Sequence, residues 1–464
     1  MMNRTLPTVA LVFCLSGTLF AQAPSPPYFG HSDDLAARLN RLEAETQTLR
    51  AEVEWLREHP VRLPAVDATP AGMSSTMVAP EADGGDYFTL EELRSEMKKL
   101  AWKKGDFKIV PYGLLWGNMV YSTQRTTPGS YTLFVHSADT SNEGEFIVDA
   151  RNTRLGVDIS GPRIPFFFCA PSGGKVEVDF QNSLLSTENK PTVMLRHAYL
   201  EMKNEEFRFL VGQTWDVISP LLPGMLMYSV AWDAGNIGYR RAQVRGERYL
   251  AFSDVSLLTA QLSANQQVFE DGNNVINGEA PNWPIIEGRA GWTIGQRGKG
   301  CLPITVGASG HVGEEQFDHV VLGANNQRRT WSGNVDLRIP LTERLGFQGE
   351  WFTGENLGAF LGGIGQGINP ITLNPIRSTG GWFEVWFDWT PSLHSHVGYS
   401  VDDPNNNDVA AGQRNFNQCY FGNLAYDLTD KFWIGMEVSS WKTLYADRLP
   451  GDSVRCEFVA KYGF

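Results

Sequence analysis

Six arginines stand at positions where the alternation of predicted strands would turn them all toward one side. They are Arg154, Arg196, Arg208, Arg241, Arg245 and Arg289. A guanidinium group keeps its charge and can donate two parallel hydrogen bonds to a carboxylate or a phosphate. Several such groups on one wall would let an anion move from one to the next without being bound too tightly to leave. The sequence therefore predicts a pathway for small anions.

Carboxylates at the inward positions of other predicted strands leave a second interpretation open. They are Asp158, Glu287, Asp336, Glu350, Glu384, Asp388 and Glu437. If they face the arginines across a lumen, the opposed charges would create a transverse field. If instead each arginine pairs with a neighbouring carboxylate, the arginine only makes the wall rigid. The sequence leaves both roles open for every single arginine.

The C-terminal segment indicates how such side chains are positioned. From Val454 to Phe464, apolar residues occupy every second position and alternate with Arg455, Glu457 and Lys461. A period of two is typical of a strand with one apolar and one polar face. A chain that ends on such a strand, with an aromatic last residue, resembles an outer-membrane β-barrel.

Residues 106–464 contain about sixteen segments of this kind, and we predict an all-β transmembrane barrel of about sixteen antiparallel strands. Short turns, for example at 203–206, 246–248 and 390–392, alternate with long loops, as they do in bacterial barrels. An even number of strands places both ends of the barrel on one side. A soluble sandwich also alternates but needs neither the aromatic strand ends nor the unequal loops.

The N-terminal quarter has a different organisation. Residues 1–23 have a positive start, an apolar run and a small-residue end, which indicates a secretory signal peptide. No stretch approaches the length of about 20 apolar residues that a membrane-spanning helix needs. A secreted chain that still belongs in a bilayer must then span it as a closed barrel.

Residues 32–59 carry a heptad seam and predict a coiled-coil oligomerisation helix. Its apolar positions are Leu35, Leu39, Leu42, Leu49, Val53 and Leu56. Because about three heptads make a marginal helix in water, the segment should need partner chains. A helix lying on its own barrel is the alternative. Residues 60–86 read as a flexible linker, and 89–104 as a short helix with a capping box.

Several classes of function are disfavoured. The net charge of -13 argues against a nucleic-acid partner. No Gly-x-Ser-x-Gly, P-loop or HExxH motif occurs, so we predict no enzyme and no cofactor. His394 and His396 share a face without an evident third ligand, which favours a polar lumen filler over a metal site. No CxxC motif occurs, and a Cys169–Cys301 disulfide is the one pairing left open.

Four motifs occur in a fixed order along the predicted barrel. They are Asp149–Gly156 (DARNTRLG), Leu195–Tyr199 (LRHAY), Val211–Trp215 (VGQTW) and Gly235–Arg241 (GNIGYRR). In that order they resemble the DcaP-like porins, over residues 106–464. The resemblance implies a homotrimeric outer-membrane channel with a periplasmic coiled coil before a sixteen-stranded barrel. It also implies passive uptake of small anionic solutes such as dicarboxylates.

In sixteen-stranded porins the loop after strand five folds into the lumen. Here that loop is 216–238, and the expected constriction residues are Asp216, Met225, Tyr228 and Asp233. We therefore expect a passive porin in contact with outer-membrane lipid, with its N-terminal segment in the periplasm. The alternative is a structural envelope protein whose coiled coil and linker tether the outer membrane to the cell wall through peptidoglycan.

Overall fold

The computed structural model describes residues 102–182, 190–268, 276–279, 281–298, 300–319 and 323–464. The chain divides into two compact units, residues 1–85 and 86–464, and everything described belongs to the second. The predicted signal peptide (1–23), coiled coil (32–59) and linker (60–86) therefore lie outside the described residues.

Sixteen long strands make up the described part of the chain, and they are labelled here in chain order. They are β1 (Phe107–Ser122), β2 (Glu145–Asp149 and Arg154–Ile164), β3 (Ala170–Asp179), β4 (Met194–Lys203), β5 (Phe207–Trp215), β6 (Arg240–Ser253), β7 (Ser256–Asn265), β8 (Ile285–Ile294), β9 (Ile304–His319), β10 (Gly323–Pro340), β11 (Leu345–Glu355), β12 (Arg377–Thr390), β13 (Leu393–Pro404), β14 (Arg414–Asp427), β15 (Phe432–Tyr445) and β16 (Gly451–Gly463).

Every one of these strands pairs antiparallel with its sequence neighbours, and β1 closes the sheet by pairing with β16. Trp116 of β1 stands opposite Lys461 of β16 in that closing pair. Closure leaves no strand edge without a hydrogen-bonded partner. The predicted sixteen-stranded antiparallel barrel is confirmed.

The two faces of the barrel differ as the alternation predicts. On β15, Met436 and Val438 point outward and are 64% and 53% exposed, while Glu437 between them is buried inside. The same pattern recurs on β12, where Phe383 and Val385 are exposed and Glu384 is buried. An apolar outer face suits a hydrocarbon environment. No helix among the described residues is long and apolar enough to cross a membrane.

A β-bulge in β4 changes which side chains enter the lumen. Glu177 is paired with His197, and the next residue, Val178, is paired with Leu195, so Arg196 is the extra residue. A bulge breaks the strict alternation of a strand. Arg196 and His197 are consequently both buried inside the barrel. Alternation alone predicts only the first of them.

One local prediction is wrong, and a second is wrong for its last three residues. The turn expected at 246–248 lies inside β6, and the chain turns at 254–255 instead. Gly246 suggested a turn, but it is an outward strand position with open space around it. The last three residues of the predicted helix 89–104 form a short strand, Trp102–Lys104, that pairs with the start of β1. Residues 89–101 lie outside the described part.

Three of the long loops fold into the barrel and are named here. Loop A is 123–144 and contains the hairpin Thr126–Pro128 and Thr132–Val135; loop B is 216–239; loop C is 356–376. Tyr131 of loop A, Met227 and Trp232 of loop B and wall residues such as Trp441 form one buried apolar cluster. The lumen at this level is therefore filled by packed side chains, not by open solvent.

No disulfide joins the cysteines within the described residues. Cys169 and Cys301 are both unpaired, so the pairing left open by the sequence does not occur. Cys456 lies exposed on the outer face, while Cys419 is fully buried in the lumen among apolar side chains.

Candidate functional site

Loop B crosses the lumen and is held against the far wall by four carboxylates, here called the acidic row. The acidic row consists of Glu287, Glu350, Glu384 and Glu437, on β8, β11, β12 and β15. In that order they accept hydrogen bonds of 2.6–2.8 Å from the backbone N–H groups of Val217, Leu221, Gly224 and Leu226. The charges expected to face the arginines therefore bind backbone donors of loop B.

The sequence of loop B explains why its N–H groups are free for this contact. Pro220 and Pro223 have no N–H and disfavour a helix, so the segment stays extended. The N–H groups of this extended segment have no backbone acceptor within the loop and must be satisfied elsewhere. Ser219 adds a side-chain bond, since its hydroxyl donates to Glu350 at 2.7 Å.

The tip of loop B lies directly on the wall backbone. Gly235 has a φ of +122°, and a Cβ there would collide with the carbonyl oxygen of Gly381 on β12. Only glycine combines this conformation with so close an approach. The side-chain amide of Asn417 donates to the carbonyls of Asp233 and Leu133 at 2.8 and 2.7 Å, which joins loops A and B.

The structure places all four expected constriction residues inside the barrel. Asp216 accepts a bond from the Arg241 guanidinium, Met225 packs in the apolar cluster, and Asp233 donates its backbone N–H to loop C. Tyr228 donates to Asp179 at 2.7 Å. Burial raises the pKa of the Tyr228 phenol, so it remains a neutral donor.

Loop C packs against loop B through Arg241. The guanidinium lies 3.9 Å from the centre of the Phe360 ring and donates to the carbonyl of Ala359. Gly238 of loop B donates its N–H to the carbonyl of Phe360 at 2.8 Å. Burial raises the pKa of Asp216, and the adjacent Arg241 charge opposes that shift. Arg241 thus connects the two loops to the wall.

Arg455 of β16 fixes loop A in the same manner. It is 1% exposed and donates to the carbonyls of Gly129 and Ser130 at 2.8 and 2.7 Å. Glu457 compensates its charge at 3.1 Å. The hairpin of loop A is therefore held from inside the barrel by one buried cation.

We expect Arg455→Ala to destabilise the folded barrel by about 3–5 kcal/mol, because it leaves Glu457 buried without its partner. Urea unfolding in detergent or lipid would measure the loss. Arg448→Ala is the matched control: Arg448 is an exposed partner of Asp139 at 3.7 Å, and its removal should cost about 0–1 kcal/mol. Equal stability of the two variants would contradict the role given to Arg455.

Five of the six arginines predicted to line a pathway are ion-paired, four with carboxylates of the wall and Arg241 with Asp216 of loop B. Arg196 binds Glu177 and Asp179; Arg208 binds Glu201 and Glu247; Arg241 binds Asp216; Arg245 is paired with Glu247; Arg289 binds Asp336. Arg154 is the exception, since it forms no ion pair or hydrogen bond with any described residue. The sequence left open whether each arginine binds a passing anion or only makes the wall rigid through an ion pair. For these five arginines the geometry favours the second role.

Arg154, Arg240 and Lys461 are buried or half-buried cations of the described lumen that have no carboxylate within ion-pair distance. They are called here the uncompensated cations. Lys461 Nζ lies 3.4 and 4.3 Å from the ring centres of Trp116 and Trp433, and Arg154 lies 5.4 Å from the Trp116 ring. Sequence reasoning gave no site role to Lys461, although its inward position on the last strand was a usable signal.

Arg240 is packed between aromatic side chains. Its guanidinium lies 4.8 and 4.7 Å from the ring centres of Trp215 and Tyr239 and 5.9 Å from that of Trp232. One Nη donates to the Tyr239 hydroxyl at 3.1 Å, while Nε and the other Nη have no hydrogen-bond partner. Its charge is thus screened by π faces but not neutralised.

Two cavities border loop B and are called here the inner and the outer cavity. The inner one, about 320 Å³, is lined by Arg208, Arg245 and the first residues of loop B. The outer one, about 400 Å³, lies among the long loops and is lined by Phe134, Trp232 and Arg414. Tyr239 lines both cavities.

The paired histidines of β13 bind carboxylates. His394 makes hydrogen bonds to Asp388 at 2.7 Å and Asp427 at 3.2 Å, and His396 makes one to Glu384 at 3.2 Å. Within the described residues, no group of three or more potential ligands is placed to hold a metal ion.

Among solved structures, the chain is similar to the outer membrane channel DcaP of Acinetobacter baumannii. The TM-score is 0.63 at 18% identity, over 78% of this chain and 99% of that one. The predicted resemblance is confirmed at the level of the fold. Lower similarity is found to an anion-selective porin from Comamonas acidovorans, with a TM-score of 0.49 at 8% identity over 77% and 100% of the chains. For OprB of Pseudomonas putida the TM-score is 0.48 at 9% identity, over 81% of this chain and 97% of that one.

No protein-family model matches the sequence, and no curated protein matches it.

Proposed function

We propose that this protein is a non-enzymatic outer-membrane porin through which small hydrophilic anions, dicarboxylates among them, diffuse passively. The observation that carries the proposal is that the carboxylates of the lumen have hydrogen-bond partners, whereas three of its cations have no carboxylate partner in the described part of the barrel. The acidic row is capped by backbone donors of loop B. The uncompensated cations Arg154, Arg240 and Lys461 have no carboxylate within ion-pair distance among the described residues, and only Arg240 has a hydrogen bond, to the Tyr239 hydroxyl.

The size of this effect is sufficient for selectivity. An anion about 4 Å from one unpaired cation gains about 1 kcal/mol in water and about 4 kcal/mol at the effective dielectric near a protein surface. Because 1.4 kcal/mol corresponds to a factor of about ten, one or two such cations would favour anions by more than tenfold. A moderate gain also lets the solute leave again.

The apolar outer face supports the membrane location, and the likeness in fold to the DcaP channel supports the channel class. We extend the proposal to a homotrimer whose predicted coiled coil, 32–59, lies in the periplasm. The seam residues Leu35 to Leu56 would pack between the three copies.

Swelling of liposomes that contain the full-length protein tests this function. Vesicles should swell faster in succinate than in a neutral or cationic solute of similar size, because only the anion gains from the uncompensated cations. Equal rates for all three would remove the anion preference but keep the pore. No swelling in any solute would contradict the porin itself.

A further inference from the structure

Among the described residues, Tyr239 is the one residue that lines both the outer and the inner cavity, and it therefore marks the place where a solute would pass from one to the other. Beside Tyr239, the backbone N–H of Gly238 lines the inner cavity and is hydrogen-bonded to the carbonyl of Phe360 in loop C. The part of this boundary between the two cavities that a mutation can remove is the Tyr239 side chain. Removing that side chain is the smallest change that would join them.

The backbone of Tyr239 is fixed on both sides. Its N–H donates to the Asp216 carboxylate at 2.9 Å, and its carbonyl accepts the N–H of Asp216 at 2.8 Å. Asp216 is held in turn by Arg241. The position of the ring is therefore set by the point where loop B rejoins the wall.

The ring itself is held by softer contacts. Trp232 packs edge to face against it, with the ring centres 5.3 Å apart, and Arg240 stacks on it at 4.7 Å. Its hydroxyl donates only to the sulfur of Met194, at 3.3 Å, which is a weak acceptor. An anionic oxygen would accept a stronger hydrogen bond from this hydroxyl than a thioether sulfur does.

We propose that Tyr239 is the specificity-determining residue of the pore: its ring is the partition that a solute must pass, and its hydroxyl exchanges Met194 for an oxygen of that solute. This inference rests on the proposed function and adds the place of selection. Arg240 directly behind the ring supplies the positive charge at that point. The Tyr239 ring limits the width of the solutes that can pass, and Arg240 selects among them by charge.

The test compares the full-length protein with Tyr239→Ala and Tyr239→Phe in planar bilayers and in swelling vesicles. Tyr239→Ala should conduct severalfold more and admit a neutral trisaccharide that the unaltered protein excludes, because the two cavities then join. Tyr239→Phe should keep the conductance and the exclusion but lose part of the preference for anions. Phe134→Ala is the control, since Phe134 lines the outer cavity alone.

Each outcome separates the two proposals. If the unaltered protein conducts and Tyr239→Ala behaves identically, the role proposed for the Tyr239 ring is wrong and the porin function stands. If the unaltered protein is closed and Tyr239→Ala conducts, the role of the ring stands and passive diffusion is wrong. If neither conducts, both are wrong, provided that the variants show the heat-modifiable mobility of a folded barrel. A Phe134→Ala variant that opens to the same extent would also overturn the role of Tyr239.

Discussion

Glu350→Ala is expected to release the middle of loop B from the wall and to raise both the conductance and the current noise of the pore. The carboxylate accepts bonds from the Ser219 hydroxyl and the Leu221 N–H, each at 2.7 Å, and from Trp382 at 3.3 Å. A typical hydrogen bond contributes about 0.5–1.5 kcal/mol to stability. Glu350→Ala removes both bonds to loop B, those from Ser219 and Leu221. The segment 219–222, which borders the inner cavity, could then move into other positions.

Two variants control this experiment. Glu350→Gln keeps one acceptor oxygen and should show a smaller increase than Glu350→Ala. Glu314→Ala removes the same charge from an exposed position on β9 and should leave the single-channel trace unchanged. If Glu350→Ala gave the conductance and noise of the unaltered protein, the acidic row would not be what holds loop B.

The double variant Arg154→Ala with Lys461→Ala is expected to abolish most of the anion preference. Both side chains point into the lumen, and neither has a carboxylate within ion-pair distance among the described residues, so we expect their charges to favour an anion there. Arg154 repels the Lys461 ammonium, whereas Glu457 and Glu437 attract it. Both carboxylates keep other partners in the double variant, Arg455 and the N–H of Leu226. The reversal potential in a KCl gradient should move toward zero while the conductance is retained.

The matched control removes two positive charges from the exposed side of the barrel. Arg248 and Lys442 have exposed acidic partners, Glu206 at 3.0 Å and Asp452 at 3.6 Å. Arg248→Ala with Lys442→Ala should therefore leave the reversal potential unchanged. Equal shifts for both double variants would show that overall charge, and not the uncompensated cations, sets the preference.

The barrel could be predicted because period-two alternation is local. Strand β1 and the inward position of Glu437 followed from residue types alone, since an outward charge would face hydrocarbon. Where glycine interrupts a strand, the same reasoning fails. Gly246 indicated a turn, but it is an ordinary outward position of β6, and the true turn at 254–255 carries no stronger signal.

The partners within the lumen could not be predicted, because they depend on distances between strands far apart in sequence. The sequence placed Glu350 and Arg196 inside but could not show that the first binds loop B and the second binds Glu177. The bulge that turns both Arg196 and His197 inward has no local signature either. The sequence therefore predicts that these side chains point into the lumen, but it does not predict whether their charges are paired.

Loop B illustrates the same limit. Its place after β5 and its prolines indicated an extended segment entering the lumen. That loop C also enters, and meets loop B at Gly238 and Phe360, was not expected. The buried Leu357 and Phe360 were the available signal, because a long loop with large apolar residues must bury them somewhere.

The central claim is that water and small anions cross this barrel past cations that no carboxylate neutralises. The reversal potential of the full-length protein in a planar bilayer, between concentrated and dilute KCl, tests it most directly. Chloride should cross faster than potassium and make the dilute side negative. A positive dilute side, or a folded barrel that carries no current, would contradict the claim.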